Sequence, residues 1–248
     1  MNKKPILSDQ GSTLDPRRLP AYAIPEAAHY LLLPPATLRS WVVGRYYPVS
    51  GDRRRFFKPL IVAADPEKHL LSFVNLVEAH VLEAIRRVHE IRLPQVRRAL
   101  AYLEKQFSSD HPLADGEMLT NGRDLFIREY RHLVEISADG QLAMREMLDA
   151  HLRRIERDPH GLALRLYPFT LKRPASADAG LAEEPRHILI DPRISFGRPV
   201  LAGTGIPTSI IAERYKAGDS IQALARDYEQ EPARIEEALR CELRLEAA

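Results

Sequence analysis

Residues 37–41 read Thr-Leu-Arg-Ser-Trp. On a helix, Leu38 and Trp41 lie three apart and share one face, which leaves Thr37, Arg39 and Ser40 pointing outward. Side chains of these kinds bond phosphate oxygens, and arginine also reads the edge of guanine. Arg45 follows closely, then Arg53-Arg54-Arg55 and Lys58. Between residues 39 and 58, six basic side chains stand against Asp52 alone, a surplus of five. The chemistry on offer is non-covalent capture of a polyanion, with an affinity that falls as salt rises.

Those side chains need a scaffold. A first short helix is expected over 25–31, where Pro25 and Glu26 suit a helix start, and a second over 35–43. Ala27, Ala28, Leu31, Leu38 and Trp41 can bury between the two helices. Ser50-Gly51-Asp52 is a turn signal, so 45–63 reads as a β-hairpin with the arginine triplet near its tip. Ser72 caps a long helix from Phe73, and another opens at Pro94 with Val96, Ala99, Leu100, Leu103 and Phe107 on one face. Asn121-Gly122 predicts a hairpin. A helix is expected over 139–157 and a strand over 161–170. Residues 172–185, rich in Pro, Ala and Ser, read as a linker.

Beyond the linker, Gly197, Gly203 and Gly205 permit positive φ, while Pro199 and Pro207 fix φ beside them. This predicts a rigid β-turn element. Three short helices follow near 208–217, 220–227 and 232–243. Gly218 breaks the first, Ser220 caps the second and Pro232 opens the third, around Ile221, Leu224, Ala225, Tyr228, Ile235 and Leu239.

The chain has 248 residues, 45% of them apolar, with a net charge of +2. It is long enough for one large domain or two to three small ones and too apolar for global disorder. No apolar run approaches a membrane span, and the first twenty residues lack the apolar segment of a secretory signal. A single cysteine, Cys241, excludes an internal disulfide and reads as a core residue of the last helix. The nine histidines lack metal-binding spacing, and there is neither a nucleophile elbow nor a GxxxxGK[ST] phosphate loop. We therefore expect no enzymatic activity, catalytic residues, metal or cofactor, and a soluble cytoplasmic protein.

The stretch Y-x-I-P-E-A-A-x-Y-L at 22–31, with T-L-R-x-W at 37–41, a basic hairpin and a further helix pair to 107, resembles the MerR-type winged helix–turn–helix domain. The resemblance implies a second helix in the major groove of double-stranded DNA and a wing against the adjacent backbone. The DNA-contacting set is then Thr37, Arg39, Ser40, Arg45, Arg53, Arg54, Arg55 and Lys58. MerR regulators dimerise through a long coiled coil. Residues 108–170 show no sustained heptads, so that feature does not carry over.

The stretch D-P-R-I-S-F-G-R-P-V-L-A-G-T-G-I-P at 191–207 resembles a small prokaryotic domain with a homeodomain-like helical core. That domain occurs alone or after a MerR-like domain, as the antitoxin of a PIN-type ribonuclease toxin. The whole chain thus resembles a VapB-type antitoxin of the longer, two-module kind. Relatives commonly carry Arg after the Gly-Thr and a further Gly before Gly197, where this chain has Gly205 and Phe196. Glu229, Glu231, Glu236 and Glu237 crowd the third helix and suit the basic cleft of a ribonuclease better than DNA. The expected toxin-contacting set is Gly203, Thr204, Gly205, Glu229, Glu231, Arg234, Glu236 and Glu237.

The expected fold is mainly α with short β-hairpins (α+β). It comprises a flexible arm at 1–20, a winged helix–turn–helix domain at 21–107 and a mixed middle region at 108–171. The linker at 172–185 then leads to a three-helix domain at 186–248. The expected partners are an operator DNA, a PIN-type ribonuclease and a second copy of the chain, with the middle region as a possible dimer interface. A free-standing MerR-like regulator, whose C-terminal module senses a ligand or dimerises, is the alternative. The presence of a PIN-like reading frame beside the gene separates the two.

Overall fold

The computed structural model describes residues 15–48, 54–87, 93–133, 138–171 and 184–243. Its elements begin with α1 (Ile24–Tyr30) and α2 (Pro35–Val42), followed by the hairpin β1 (Arg45–Pro48) and β2 (Arg54–Phe57). The helices α3 (Phe73–Arg87), α4 (Leu93–Phe107), α5 (Arg123–Leu133) and α6 (Ala138–Leu152) come next, then the hairpin β3 (Ile155–Arg157) and β4 (Ala163–Leu166). The chain continues with β5 (Ile188–Leu189) and β6 (Val200–Leu201), and then α7 (Thr208–Lys216), α8 (Ile221–Asp227) and α9 (Pro232–Glu242). It is a mainly helical fold with three short antiparallel strand pairs among the described residues.

The local signals act as expected at both ends. The Glu26 carboxylate accepts from the Ala23 N–H at 3.3 Å and caps α1. Ser72 accepts from the Asn75 N–H at 3.2 Å and opens α3. Ser220 accepts from the Ala223 N–H at 3.1 Å and caps α8, and Gly218 takes φ 110 where α7 ends. Gly197, Gly203 and Gly205 all have positive φ. Cys241 is buried in the last helix.

Two apolar cores form. The larger runs from Tyr22 through α1–α6 to Ile190, and includes Leu38, Trp41, Phe73, Phe126 and Leu148. The smaller joins Ile188 and Leu201 to Ile211, Leu224, Ile235 and Leu239. Where α3 packs on α6, the larger core also encloses two histidines, their ring centroids 4.8 Å apart. The Nε2–H of His80 donates to the His151 carbonyl at 3.1 Å. The Nδ1–H of His151 donates to the Met147 carbonyl at 2.9 Å. Burial pulls the pKa of His80 down to about 3 and that of His151 well below the ordinary imidazole value.

Four expectations need correction. Asn121-Gly122 does not turn a hairpin; Met118–Gly122 is a single π-helical turn leading into α5. A Cβ at Gly122 would lie 2.9 Å from the Phe107 ring, so the glycine serves close packing rather than a turn. The helix expected to reach 157 ends at Leu152, because residues 155–157 pair with β4. Residues 15–20 are not part of a loose arm: Asp15 caps a short helical turn at Pro16–Arg18, and Arg17 bonds Asp158 at 2.7 Å.

The fourth correction concerns the C-terminal module, expected beyond a linker, which is docked against the preceding residues. Leu166 and Ile190 exchange backbone hydrogen bonds at 3.0 and 2.8 Å, and Arg165 pairs with the buried Asp191 at 3.1 Å. The Arg154 guanidinium donates to the carbonyls of Glu184 and Pro185 at 3.0 and 2.8 Å and lies 4.5 Å over the Phe169 ring. Glu184 and Pro185 close the stretch expected as a linker. Its residues 172–183 lie outside the described ones.

Candidate functional site

The α1–α2 pair is built on small residues. Ala27 and Ala28 are fully buried, which lets α2 approach closely, and Leu38 and Trp41 fill the interface. Side chains of that size contribute roughly 1.5–3 kcal/mol each on full burial. On the opposite side of α2, Arg39 is exposed and Thr37 half-buried. Ser40 departs from expectation. It is buried, and its hydroxyl donates to the Thr37 carbonyl at 2.7 Å, so it does not share the outward face. The reason is helical spacing: with Leu38 and Trp41 both inward, position 40 falls at the margin of the buried stripe.

The hairpin is clamped to the end of α2. The Trp41 carbonyl accepts from the N–H groups of Leu60 and Ile61 at 2.7 and 3.0 Å. Phe57 turns inward beneath the Arg97 guanidinium, 4.2 Å from its ring centroid, and Arg97 also donates to the Pro59 carbonyl at 3.3 Å. Arg45, Arg54 and Lys58 are exposed. Arg39 thus stands exposed on α2, Arg45 and Arg54 on the two strands of the hairpin, and Lys58 just after it. Arg53 lies outside the described residues, as does the side chain of Arg55. Two exposed aromatic side chains on the same hairpin, Tyr46 and Phe56, escaped the sequence reading. The available signal was their placement amid the surplus of arginine.

The second expected set lies on the C-terminal module. The Arg234 guanidinium donates to the Ala202 carbonyl and to Gln230 Oε1, which joins the start of α9 to the glycine turn. Thr204 stiffens that turn, its hydroxyl donating to the Leu201 carbonyl at 2.9 Å and accepting from the Ile206 N–H at 3.1 Å. Gly203, Glu229, Glu231 and Glu236 are exposed, and Thr204 and Gly205 are half-buried. Glu237 is a correction. It is buried, takes a hydrogen bond from the Thr170 hydroxyl and lies 3.5 Å from Arg240, so it fastens α9 to the preceding segment. Beside the glycine turn, Phe196 is 95% exposed, on a loop where Ser195, Phe196 and Gly197 all have positive φ.

Among the described residues no group of three or more His, Cys, Asp or Glu side chains is placed to hold a metal ion. No helix among them is long and apolar enough to cross a membrane.

Comparison with known proteins agrees with this geometry at two levels. Residues 20–100 match a family model described as "Putative DNA-binding HTH domain", and residues 188–240 match one described as "Protein of unknown function (DUF433)". The first match spans α1, α2, the hairpin, α3 and most of α4, so this part of the chain is similar to a putative DNA-binding helix–turn–helix domain. Along most of its length the chain is similar to the "Putative antitoxin VapB45" of Mycobacterium tuberculosis strain H37Rv. The two are 28% identical over 236 residues, covering 89% of this chain and 93% of the relative. It is also similar to the crystal structure of Rv2018 from Mycobacterium tuberculosis, with a TM-score of 0.61 and 26% identity, covering 90% of this chain and 98% of that one.

Proposed function

We propose that this protein is a DNA-binding antitoxin of a type II toxin–antitoxin pair. In this reading it neutralises a PIN-type ribonuclease and, with it, represses its own operon. The observation that carries the reading is the set of exposed cationic side chains on α2 and the hairpin, with Arg39 outward beside buried Leu38 and Trp41. The likeness to an antitoxin over 89% of the chain supports extending it to a toxin. The domain is of the MerR-like winged kind, with α2 in the major groove and Arg45, Arg53, Arg54, Arg55 and Lys58 on the phosphate backbone. The C-terminal helices form a homeodomain-like bundle. The ribonuclease contacts its glycine turn at 203–205 together with Glu229, Glu231, Arg234 and Glu236. Two copies act together on a palindromic operator, with the middle region between them, and the chain has no catalytic role.

A gel-shift titration on the DNA upstream of its gene, with and without the neighbouring PIN-like product, tests this. A shift by the antitoxin that tightens with the toxin supports the reading; no shift in either case contradicts it.

A second reading, a regulator that responds to a small ligand, draws on a cleft of about 750 Å³ lined by Arg18, Asn75, Glu104, Lys105 and His111. Specific DNA binding with no ribonuclease partner would favour it.

A further inference from the structure

Tyr46 and Phe56 are direct cross-strand partners on the hairpin, with ring centroids 5.0 Å apart, and they remain 68% and 44% exposed. Their orientation is fixed. Phe57, the next residue along β2, is buried under Arg97, so alternation along the strand sends Phe56 to the opposite face. A slip in register would put the aromatic pair inward at the expense of Phe57. Two large rings left in water on so short a hairpin form an apolar surface that awaits a partner.

Their location identifies that partner. Gly44, at φ 82, ends α2, and a Cβ there would stand 2.7 Å from the Phe56 ring and 2.4 Å from the Phe57 carbonyl. The Phe56 ring therefore lies against the backbone where α2 passes into the hairpin. Arg54, two residues before Phe56 on β2, shares the face of the pair by the same alternation and is exposed. Aromatic rings beside an arginine fit the alternation of apolar sugars and base steps with charged phosphates that a DNA groove presents.

We propose that the Tyr46–Phe56 pair is an apolar wedge that enters the minor groove of DNA next to the major-groove seat of α2. The proposal rests on the DNA-binding reading above and adds a contact that does not depend on salt. The wedge also favours sites with an easily unstacked pyrimidine–purine step at its point of entry, although it makes no base-specific hydrogen bond.

The test uses the full chain and the duplex that the wild type enriches from a random library, read by fluorescence anisotropy at several salt concentrations. Tyr46→Ala and Phe56→Ala should each weaken binding about tenfold. The slope of log affinity against log salt should stay that of the wild type, because no phosphate contact is lost. Tyr46→Phe should restore wild-type affinity. If circular dichroism shows that Phe56→Ala does not fold, Tyr46→Ala, the more exposed ring, carries the result. Wild-type affinity in the alanine variants, as expected if the pair instead serves a protein partner, overturns the wedge and leaves the DNA reading intact. So does a loss that comes with a shallower salt slope. If the wild type enriches no duplex, the DNA reading and the wedge fall together.

Discussion

The Tyr22 hydroxyl donates to the Gly197 carbonyl at 2.9 Å, joining residues 175 positions apart. Tyr22 leads into α1, and Gly197 closes the strained loop of the C-terminal module. A Cβ at Gly197 would sit 2.2 Å from that hydroxyl, and the glycine's φ is 77. The two ends of the chain thus meet at a contact with no spare room.

Tyr22→Phe should therefore destabilise the protein by about 1–3 kcal/mol, because the Gly197 carbonyl loses a buried donor. Gly197→Ala should cost more, since it adds a clash with the hydroxyl to roughly 1–2 kcal/mol of left-handed strain. Removing the hydroxyl relieves that clash, so the double variant should be less destabilised than the two single changes combined. Urea denaturation of the four proteins measures this. Additive costs would show that the two residues are not coupled.

The buried His80–His151 pair makes stability depend on pH. Their folded pKa values are depressed, so an unfolded chain takes up protons below about 6.5 that the folded core refuses. The stability this contributes is complete above about 6.5 and is lost as pH falls toward the His80 value of about 3. By pH 5 the loss from His80 should be on the order of 2 kcal/mol, and His151 should act in the same direction. His111 acts in the opposite direction. The Glu78 carboxylate, 3.1 Å from its ring, raises its pKa, so its contribution is lost as pH rises through that raised value. Unfolding midpoints at pH 7 and pH 5 should differ, and His80→Gln should shrink the difference. An unchanged difference in the variant would remove His80 from the account.

On α2, Arg39→Ala should cost about 1–3 kcal/mol in specific DNA affinity if it reads a guanine. Ser40→Ala should leave affinity nearly unchanged, because its hydroxyl is committed to the Thr37 carbonyl. Arg54→Ala should weaken binding to all sequences alike and lower the salt slope by about 0.9. Equal losses for Arg39→Ala and Ser40→Ala would mean that the helix presents a different face.

The two ends of the chain were legible because their determinants are local. Pro25, Glu26, Ser72, Ser220 and Pro232 mark helix starts within a turn of where they act, and the glycines at 197, 203 and 205 mark their own positive φ. The middle was not. Asn121-Gly122 is a hairpin signal in isolation, and the close packing of Gly122 against the Phe107 ring is a tertiary contact that no local signal reveals. Residues 155–157 leave the helical pattern because β4 offers them partners, which no period within that segment reveals. On the candidate site, Arg39 followed from its neighbours Leu38 and Trp41. The burial of Ser40 and Glu237 depended on packing at the edge of a stripe and on Thr170, 67 positions away. The docking of the C-terminal module through Tyr22, Arg154 and Arg165 is likewise a matter of long-range pairing.

The antitoxin reading is tested most directly by co-expression with the PIN-like reading frame beside the gene, with growth followed after induction. Induction of that frame alone should stop growth, co-expression of the wild-type chain should restore it, and Glu231→Lys with Glu236→Lys should weaken the rescue without changing DNA affinity. A neighbouring product that arrests growth whether or not this chain is present would contradict the account.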